Sequence, residues 1–378
     1  MDFHSCEECC QKSSYVYAWC KDCNSRHFQE QFNDWTSGNK VIDKFIKETQ
    51  LKALNKFQKL EWIAYEQFTD VSFLSKGGFG EIYQATWKDG YIDKWDVGKR
   101  DWSRHPNVRV VLKRLYNLNE ENKLIEEISN QIKSINIKGG HKVIPCYGIT
   151  QNPTTQEFMM VMQYAKGGDL RQYLNQNSRD LDWYWKFRIL YSILEGLNDI
   201  HNAELIHRDL HSGNIVLFGP ENAYNAYITD FGFCRPANYD FSNENQVHGI
   251  VPYIAPEVLR GFRYTQSADI YSFGILVNEV ATGLPPHYDY PHDTTLVLKI
   301  IEDFRPMIDT KTTPQLIIEL VRRCWDADPL NRPTAQELKK QFDEVLEPNI
   351  PYYSCNFQNQ SETMANNFQV TESSEGIA

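Results

Sequence analysis

The sequence predicts an α+β fold, strands first and helices second, preceded by a small segment organised by cysteines. Strand-like segments dominate up to Tyr164, and longer helical patterns such as Trp183 to Asn202 and Ala268 to Thr282 follow. Cys6, Cys9, Cys10, Cys20 and Cys23 crowd the first 23 residues of a chain that has only nine cysteines in all. With 378 residues there is room for about two or three domains. A composition of 41% hydrophobic and 24% charged residues is that of a globular protein with a sizeable core. The net charge of −11 argues against nucleic acid as a partner. The start, Met1-Asp-Phe-His-Ser-Cys6, lacks the basic and apolar regions of a signal peptide. No apolar stretch reaches the ~20 residues of a membrane helix. The expectation is therefore a cytoplasmic chain without membrane insertion.

Residues 1–27 form the first segment. In Cys6-Glu-Glu-Cys9 and Cys20-Lys-Asp-Cys23 a two-residue spacer lets one tight knuckle aim two thiolates at a single tetrahedral ion. The separation of the pairs suits a small zinc-ribbon-like unit. A redox pair or a disulfide staple would use the same residues, but without a secretory signal structural zinc is the preferred reading. Cys10, His4 and His27 are spare ligands close by. Residues 28–67 read as a linker with a helical extension, in which Val41, Ile42, Phe45 and Ile46 share one helical face and Leu51 and Leu54 prolong it. Packing against the following domain is the expected role of that face, ahead of binding a partner. From residue 348 to 378 the chain turns rich in Asn, Gln, Ser, Thr and Glu without periodicity, the pattern of a disordered tail.

The chemistry lies between these ends. Ser75-Lys-Gly77-Gly78-Phe79-Gly80-Glu-Ile82 reads as strand, glycine-rich turn, strand, in which the backbone can close over phosphates with no side chain between. On its own the run equally fits a hairpin turn. Val110-Val111-Leu112-Lys113 is an apolar strand ending in a lysine, and a buried lysine needs an anion. In Leu205-Ile-His207-Arg208-Asp209-Leu-His211-Ser-Gly-Asn214, with Asp230-Phe231-Gly232 beyond, one aspartate can act as a base. An asparagine and a second aspartate then supply oxygen for magnesium. Ala255-Pro256-Glu257, Asp269-Ile-Tyr-Ser-Phe-Gly274 and Arg332-Pro333 complete an ordered series.

From Gly77 to Arg332 this series resembles the eukaryotic protein kinase family, and the resemblance spans residues 68–347. Within the family the chain is most similar to the tyrosine-kinase-like branch, especially an expanded fungal group with an N-terminal double cysteine-pair segment. The resemblance implies a two-lobed fold: a five-stranded antiparallel sheet with one regulatory helix, then a larger helical lobe, with ATP in the cleft between them. Gly77, Gly78, Phe79 and Gly80 would cover the phosphates. Lys113 would hold them and pair with a glutamate of the regulatory helix, Glu127 by spacing, with Glu126 and Gln131 left open. Asp209 would orient the substrate hydroxyl and accept its proton, while Asn214 and Asp230 would ligate magnesium. Met162, Gln163 and Ala165 correspond to the adenine hinge, Asp169 to the ribose contact, and Ile82, Val111 and Val216 to the apolar walls around the ring. Glu257 and Arg332 match a buried structural ion pair.

Departures accompany the matches. Ser75 replaces the first glycine of the loop, Val111 the usual alanine before the lysine, His211 the lysine of serine/threonine kinases, and Ile250 a threonine. His211 could donate to the phosphate when neutral and supply charge when protonated, raising turnover below pH 7. Residues 88–107, with Trp95 and Trp102, make a long strand connection of no evident use. Two function classes therefore stand open: an active ATP-dependent protein kinase in intracellular signalling, and a pseudokinase or adaptor that binds partners through the same fold. For the kinase, Tyr253 before Ala255-Pro256-Glu257 favours serine/threonine over tyrosine or dual specificity. Its partners would be protein substrates and an upstream kinase acting on Tyr239 or Ser242, with Arg208 anchoring the phosphate.

Overall fold

The computed structural model describes residues 4–13, 19–76, 80–115, 120–135, 141–178, 181–219, 224–240 and 247–346. Gly77, Gly78, Phe79, Ser242 and the tail from 348 lie outside them. The chain divides into two units, Met1–Tyr164 and Ala165–Ala378.

The first unit opens with a short hairpin, β1 (His4–Ser5) and β2 (Lys12–Ser13), followed by helices α1 (Lys21–Glu30) and α2 (Lys40–Lys52). Strands β3 (Glu61–Trp62), β4 (Phe68–Lys76), β5 (Gly80–Trp87), β6 (Tyr91–Asp96), β7 (Asp101–His105) and β8 (Val108–Leu115) come next. Helix α3 (Glu120–Lys133) and strands β9 (Cys146–Gln151) and β10 (Phe158–Gln163) complete it. The main sheet runs β3-β9-β10-β8-β5-β4. Its antiparallel part is the expected set of five strands. A sixth, β3, is added in parallel to β9, with Glu61 beside Gly148, and it lies N-terminal to residue 68.

One face of this sheet is a dry core of Ile63, Phe68, Trp87, Leu112, Tyr147 and Val161. The long connection 88–107 forms the β6–β7 hairpin, and its use is to seat the N-terminal segment. Ile92 and Trp102 pack with Trp19, Phe28 and Ala53 in a second cluster, and the Trp95 ring stacks on His27 at 3.6 Å. Glu61 ties the hairpin down by accepting from Lys59 and from Arg104. Helix α2 starts at Asn39, whose side chain accepts from the amides of Val41 and Ile42. Its inner face is Ile42, Ile46 and Gln50, set against α1 and α3, whereas Val41 stands 49% exposed. Sequence periodicity placed Val41 inward; the two helices flanking α2 rotate the buried stripe away from it.

The buried His141 of this unit yields a pH test. Burial holds its imidazole down at about 4, and the Lys142 charge acts in the same direction. The folded protein keeps the ring neutral while the unfolded chain protonates it below about 6.5. Stability present above that pH is therefore lost as pH falls toward 4. Between pH 7 and pH 5 the expected loss is about 2 kcal/mol, and His141→Phe should remove that part of the acid sensitivity in thermal melts. An unchanged pH slope in the variant would contradict the assignment.

The second unit is mainly helical: α4 (Leu170–Asn177), α5 (Trp183–Asn202), α6 (Pro256–Leu259), α7 (Gln266–Thr282), α8 (Thr294–Ile301), α9 (Gln315–Cys324) and α10 (Ala335–Leu346). Two small sheets join them, β11 (Leu205–Ile206) with β14 (Arg235–Pro236), and β12 (Ile215–Phe218) with β13 (Asn225–Ile228). Helix α7 is buried from Ala268 to Ala281 and forms the centre. It approaches α9 so closely that a Cβ on Gly274 would lie 2.6 Å from the Cys324 Cβ. Helix α10 begins with a capping box: Thr334 Oγ1 accepts from the Glu337 amide at 3.2 Å, and Glu337 accepts from the Thr334 amide at 2.7 Å. Arg332 forks onto the Glu257 carboxylate at 2.7 and 2.8 Å in a buried pair. Among the described residues no helix is long and apolar enough to cross a membrane.

Candidate active site

In the first unit the site starts from strand register. Ile82 and Met160 stand opposite Lys113, and Gln84 and Met162 opposite Val111. Because directly paired residues share a face, Ile82, Val111, Lys113 and Met162 project together, away from the dry core. Val111 and Ile82 are half-buried and Met162 is buried. Helix α3 presents Leu124 and Ile128 inward and with them Glu127, whose Oε1 lies 2.7 Å from Lys113 Nζ. Both partners are at least 95% buried, at 5% and 4% exposure. Of the other two candidates, Glu126 is half-buried, and the Gln131 amide donates instead to the Ile144 carbonyl at 2.5 Å. Lys113 is thus a buried cation paired with the Glu127 carboxylate. The Gln163 amide donates to the Pro145 carbonyl at 3.2 Å, and the Tyr164 ring lies under Arg109.

In the second unit the loop after β11 is folded by backbone clamps. Asp269, at the start of α7, accepts the amides of His207 at 2.8 Å and Arg208 at 2.9 Å, and His201 Nε2 at 3.0 Å. Arg208 takes a φ of 72° there, a left-handed turn that a non-glycine residue adopts only when its surroundings impose it. This turns Asp209 toward Asn214, whose Nδ2 donates to the Asp209 carbonyl at 2.9 Å and to its Oδ2 at 3.0 Å. His211 accepts the Gly213 amide at Nδ1, so a neutral ring carries its proton on Nε2, 3.5 Å from Asp209 Oδ2. Beneath the loop Ser212 and Tyr253 both donate to Glu279, at 2.8 and 2.6 Å, and burial raises that carboxyl above its usual range.

Asp230 follows β13 with φ 64° and accepts the Gly232 amide at 3.3 Å. The neighbouring Phe231 is buried and lies edge-on to His207. Asp169 bridges to the half-buried Val216, and its side chain caps α4 by accepting the Gln172 amide at 2.9 Å. The Ala165 carbonyl accepts from the Gly168 amide. Arg208, suggested as a phosphate anchor, lies over the Tyr264 ring and donates to the Phe233 carbonyl. Tyr239 is 36% exposed under Arg235. Sequence reasoning gave no role to Asp269 or Glu279. Asp269 stood in a quoted motif, but its partners lie 61 and 62 residues earlier.

A separate cluster stands at the N-terminus. The Sγ atoms of Cys6, Cys9, Cys20 and Cys23 all lie within 4.8 Å of one another, with Cys6 to Cys23 at 3.8 Å and Cys9 to Cys20 at 3.7 Å. A disulfide needs about 2.05 Å. Ligands at about 2.3 Å from a tetrahedral zinc are about 3.8 Å apart, the length of these two edges. The first pair sits on the β1–β2 hairpin, and the second opens α1 instead of a second ribbon turn, with Cys20 at the N-cap. Burial and the adjoining sulfurs push the Cys23 thiol up from its ordinary range. Among the described residues Cys10 stays outside the cluster and exposed, and His27 Nε2 pairs with Glu8 at 2.8 Å.

The sequence is 27% identical over 303 residues to the probable serine/threonine-protein kinase kinX of Dictyostelium discoideum, covering 78% of this chain and 25% of that protein. It is 28% identical over 296 residues to receptor-interacting serine/threonine-protein kinase 4 of Mus musculus, with 74% and 34% covered. To MDIS1-interacting receptor like kinase 2 of Arabidopsis thaliana it is 26% identical over 331 residues, with 83% and 29% covered. The chain therefore spans only a quarter to a third of the length of these relatives. Residues 48–342, well over half of the sequence, match the family described as protein tyrosine and serine/threonine kinase, and the chain belongs to that family.

Proposed function

We propose that this chain is an ATP-dependent protein kinase that transfers the γ-phosphate to serine or threonine hydroxyls of proteins in intracellular signalling. The observation that carries the reading is the buried Lys113–Glu127 pair. An ion pair taken out of water adds little net stability, so its presence is explained by what a fixed ammonium does for phosphate oxygens. Lys113 binds the α- and β-phosphates and Glu127 keeps it in place. Gly77, Gly78, Phe79 and Gly80 cover them. Ile82, Val111 and Val216 pack on the adenine, the backbone of Gln163 and Ala165 bonds its edge beside Met162, and Asp169 meets the ribose.

Asp209 orients the hydroxyl in line and takes its proton late in transfer; positioning is the larger part of its effect. The Asn214 amide fixes the Asp209 carboxylate and leaves its own carbonyl oxygen as a donor to a metal. Asn214 and Asp230 offer the hard oxygen donors that suit magnesium and would hold it. When bound with ATP, magnesium neutralises charge that builds between the β- and γ-phosphates.

The same reading gives Cys6, Cys9, Cys20 and Cys23 a structural zinc, supported by the spacing of their sulfurs. It also includes membership of the tyrosine-kinase-like branch, a cytoplasmic location and an upstream kinase acting on Tyr239 or Ser242. The names of the serine/threonine kinases it resembles support the class of hydroxyl. Autophosphorylation with γ-labelled ATP and magnesium, followed by phosphoamino-acid analysis, tests this directly. Label is expected on serine and threonine. Label confined to tyrosine would overturn the hydroxyl assignment while leaving the kinase reading intact.

A further inference from the structure

We propose that the cysteine-rich module braces the helix that carries Glu127, and that Asn39 is the positioning residue through which it acts. The inference rests on the kinase and zinc readings above and adds a regulatory use for the module. Cys20 stands at the N-cap position of α1 and Cys23 lies in its first turn, so the cluster fixes the start of that helix. Helix α1 packs along α2, with Ser25 Oγ donating to the Leu51 carbonyl at 3.0 Å. The turn between them is stiffened by Asp43, which accepts from Thr36 Oγ1 at 2.6 Å and from the Ser37 amide at 2.7 Å. That turn delivers Asn39.

Asn39 does two things with two ends of one amide. Its Oδ1 accepts from the Val41 and Ile42 amides at 2.8 and 3.3 Å, capping α2. Its Nδ2 donates to Glu121 Oε1 at 2.5 Å, across 82 residues, in the first turn of α3. A bond to a carboxylate is among the stronger neutral-to-ion contacts. Beyond the other end of α3, Gln58 Nε2 donates to the Ile135 carbonyl at 3.4 Å while its Oε1 accepts the Leu54 amide at 3.0 Å. The segment 39–58 thus grips α3 at both ends, and Glu127 lies between the grips. The module is itself held from behind by the β6–β7 hairpin, through His27 on Trp95 and through Trp102 Nε1, which donates to Gln31 Oε1 at 2.9 Å. Loss of the metal frees the start of α1, and loss of the Asn39–Glu121 tie frees the start of α3. In either case Glu127 no longer holds Lys113 at 2.7 Å for the phosphates.

The two ends of the amide make the test specific. In the full-length protein Asn39→Asp keeps the capping acceptor, since Asn and Asp cap about equally well, but it replaces the donor with a carboxylate facing Glu121. Melting temperature should stay near wild type. Amide hydrogen exchange across residues 120–133 should quicken, and the ATP dissociation constant and KM should rise about fivefold or more. Adding Glu121→Gln supplies an amide donor from the other side and should restore both readouts, which a purely structural cap would not do. Stripping the metal with a chelator should raise exchange in the same helix. Wild-type exchange and ATP affinity in Asn39→Asp, or no restoration in the double variant, would overturn the tie. Unchanged exchange in α3 after metal removal would overturn the brace. Absence of label transfer by the wild type counts against the kinase reading, and absence of zinc against the metal reading. The Asn39 and Glu121 variants still decide the tie in both cases.

Discussion

Asp209→Asn is expected to lower kcat for phosphoryl transfer about 10²- to 10⁴-fold, the usual worth of a positioned general base, with ATP binding and melting temperature nearly unchanged. An asparagine retains an oxygen that can accept from Asn214 Nδ2, as Asp209 Oδ2 does at 3.0 Å, so the loop has no reason to move. Asp269 still clamps the amides of residues 207 and 208 from the other side. What disappears is the charge that orients a hydroxyl and accepts its proton. Asp230→Asn should differ by weakening magnesium-ATP binding as well. Rates from purified variants at saturating ATP, with nucleotide affinity measured by calorimetry, separate the two. Wild-type turnover in Asp209→Asn would contradict the assignment.

The other large effect is expected at the N-terminus. Cys20→Ser/Cys23→Ser removes half of a four-sulfur set, and structural zinc in such small modules carries about 10–16 kcal/mol of apparent binding energy. The segment has few alternatives, because its own core contribution is small, chiefly the Trp19 and Phe28 rings set against Trp102 of the β6–β7 hairpin. Elemental analysis should show about one zinc per chain in the wild type and none in the variant. Circular dichroism and proteolysis should report loss of order near α1. Full retention of structure and an equal metal content in the variant would mean that the four sulfurs do not hold an ion.

Features with a local cause were the legible ones. The capping box at Thr334 and Glu337 is a four-residue pattern, helix α5 announces itself by apolar periodicity, and helix α7 by the length of its apolar run. The identity of the Lys113 partner was not local. Positions 127 and 131 are one turn apart on the same inner face of α3, and only the packing of α3 against β9 and β10 decides which meets the lysine. Asp269 escaped for the same reason, since its task is to bind backbone amides far back in the chain. The 88–107 hairpin was visible as an excess of length and tryptophan. Its partners, Trp19 and Phe28, lie about 70 residues earlier, beyond any periodicity argument. Residues 77–79, on which the glycine-loop reading rests, are outside the described residues, and Gly80, at the start of β5, is the part of that loop described.

The central claim is that Lys113, Asp209, Asn214 and Asp230 make this chain a catalyst and not only a nucleotide-binding scaffold. Its most direct test is one preparation of the unmodified chain assayed twice, by calorimetric titration with magnesium-ATP and by transfer of γ-label to protein. The account predicts both saturable binding and label transfer that depends on magnesium and is abolished by Asp209→Asn. Saturable binding with no transfer above that variant's background would contradict it and leave the chain a pseudokinase.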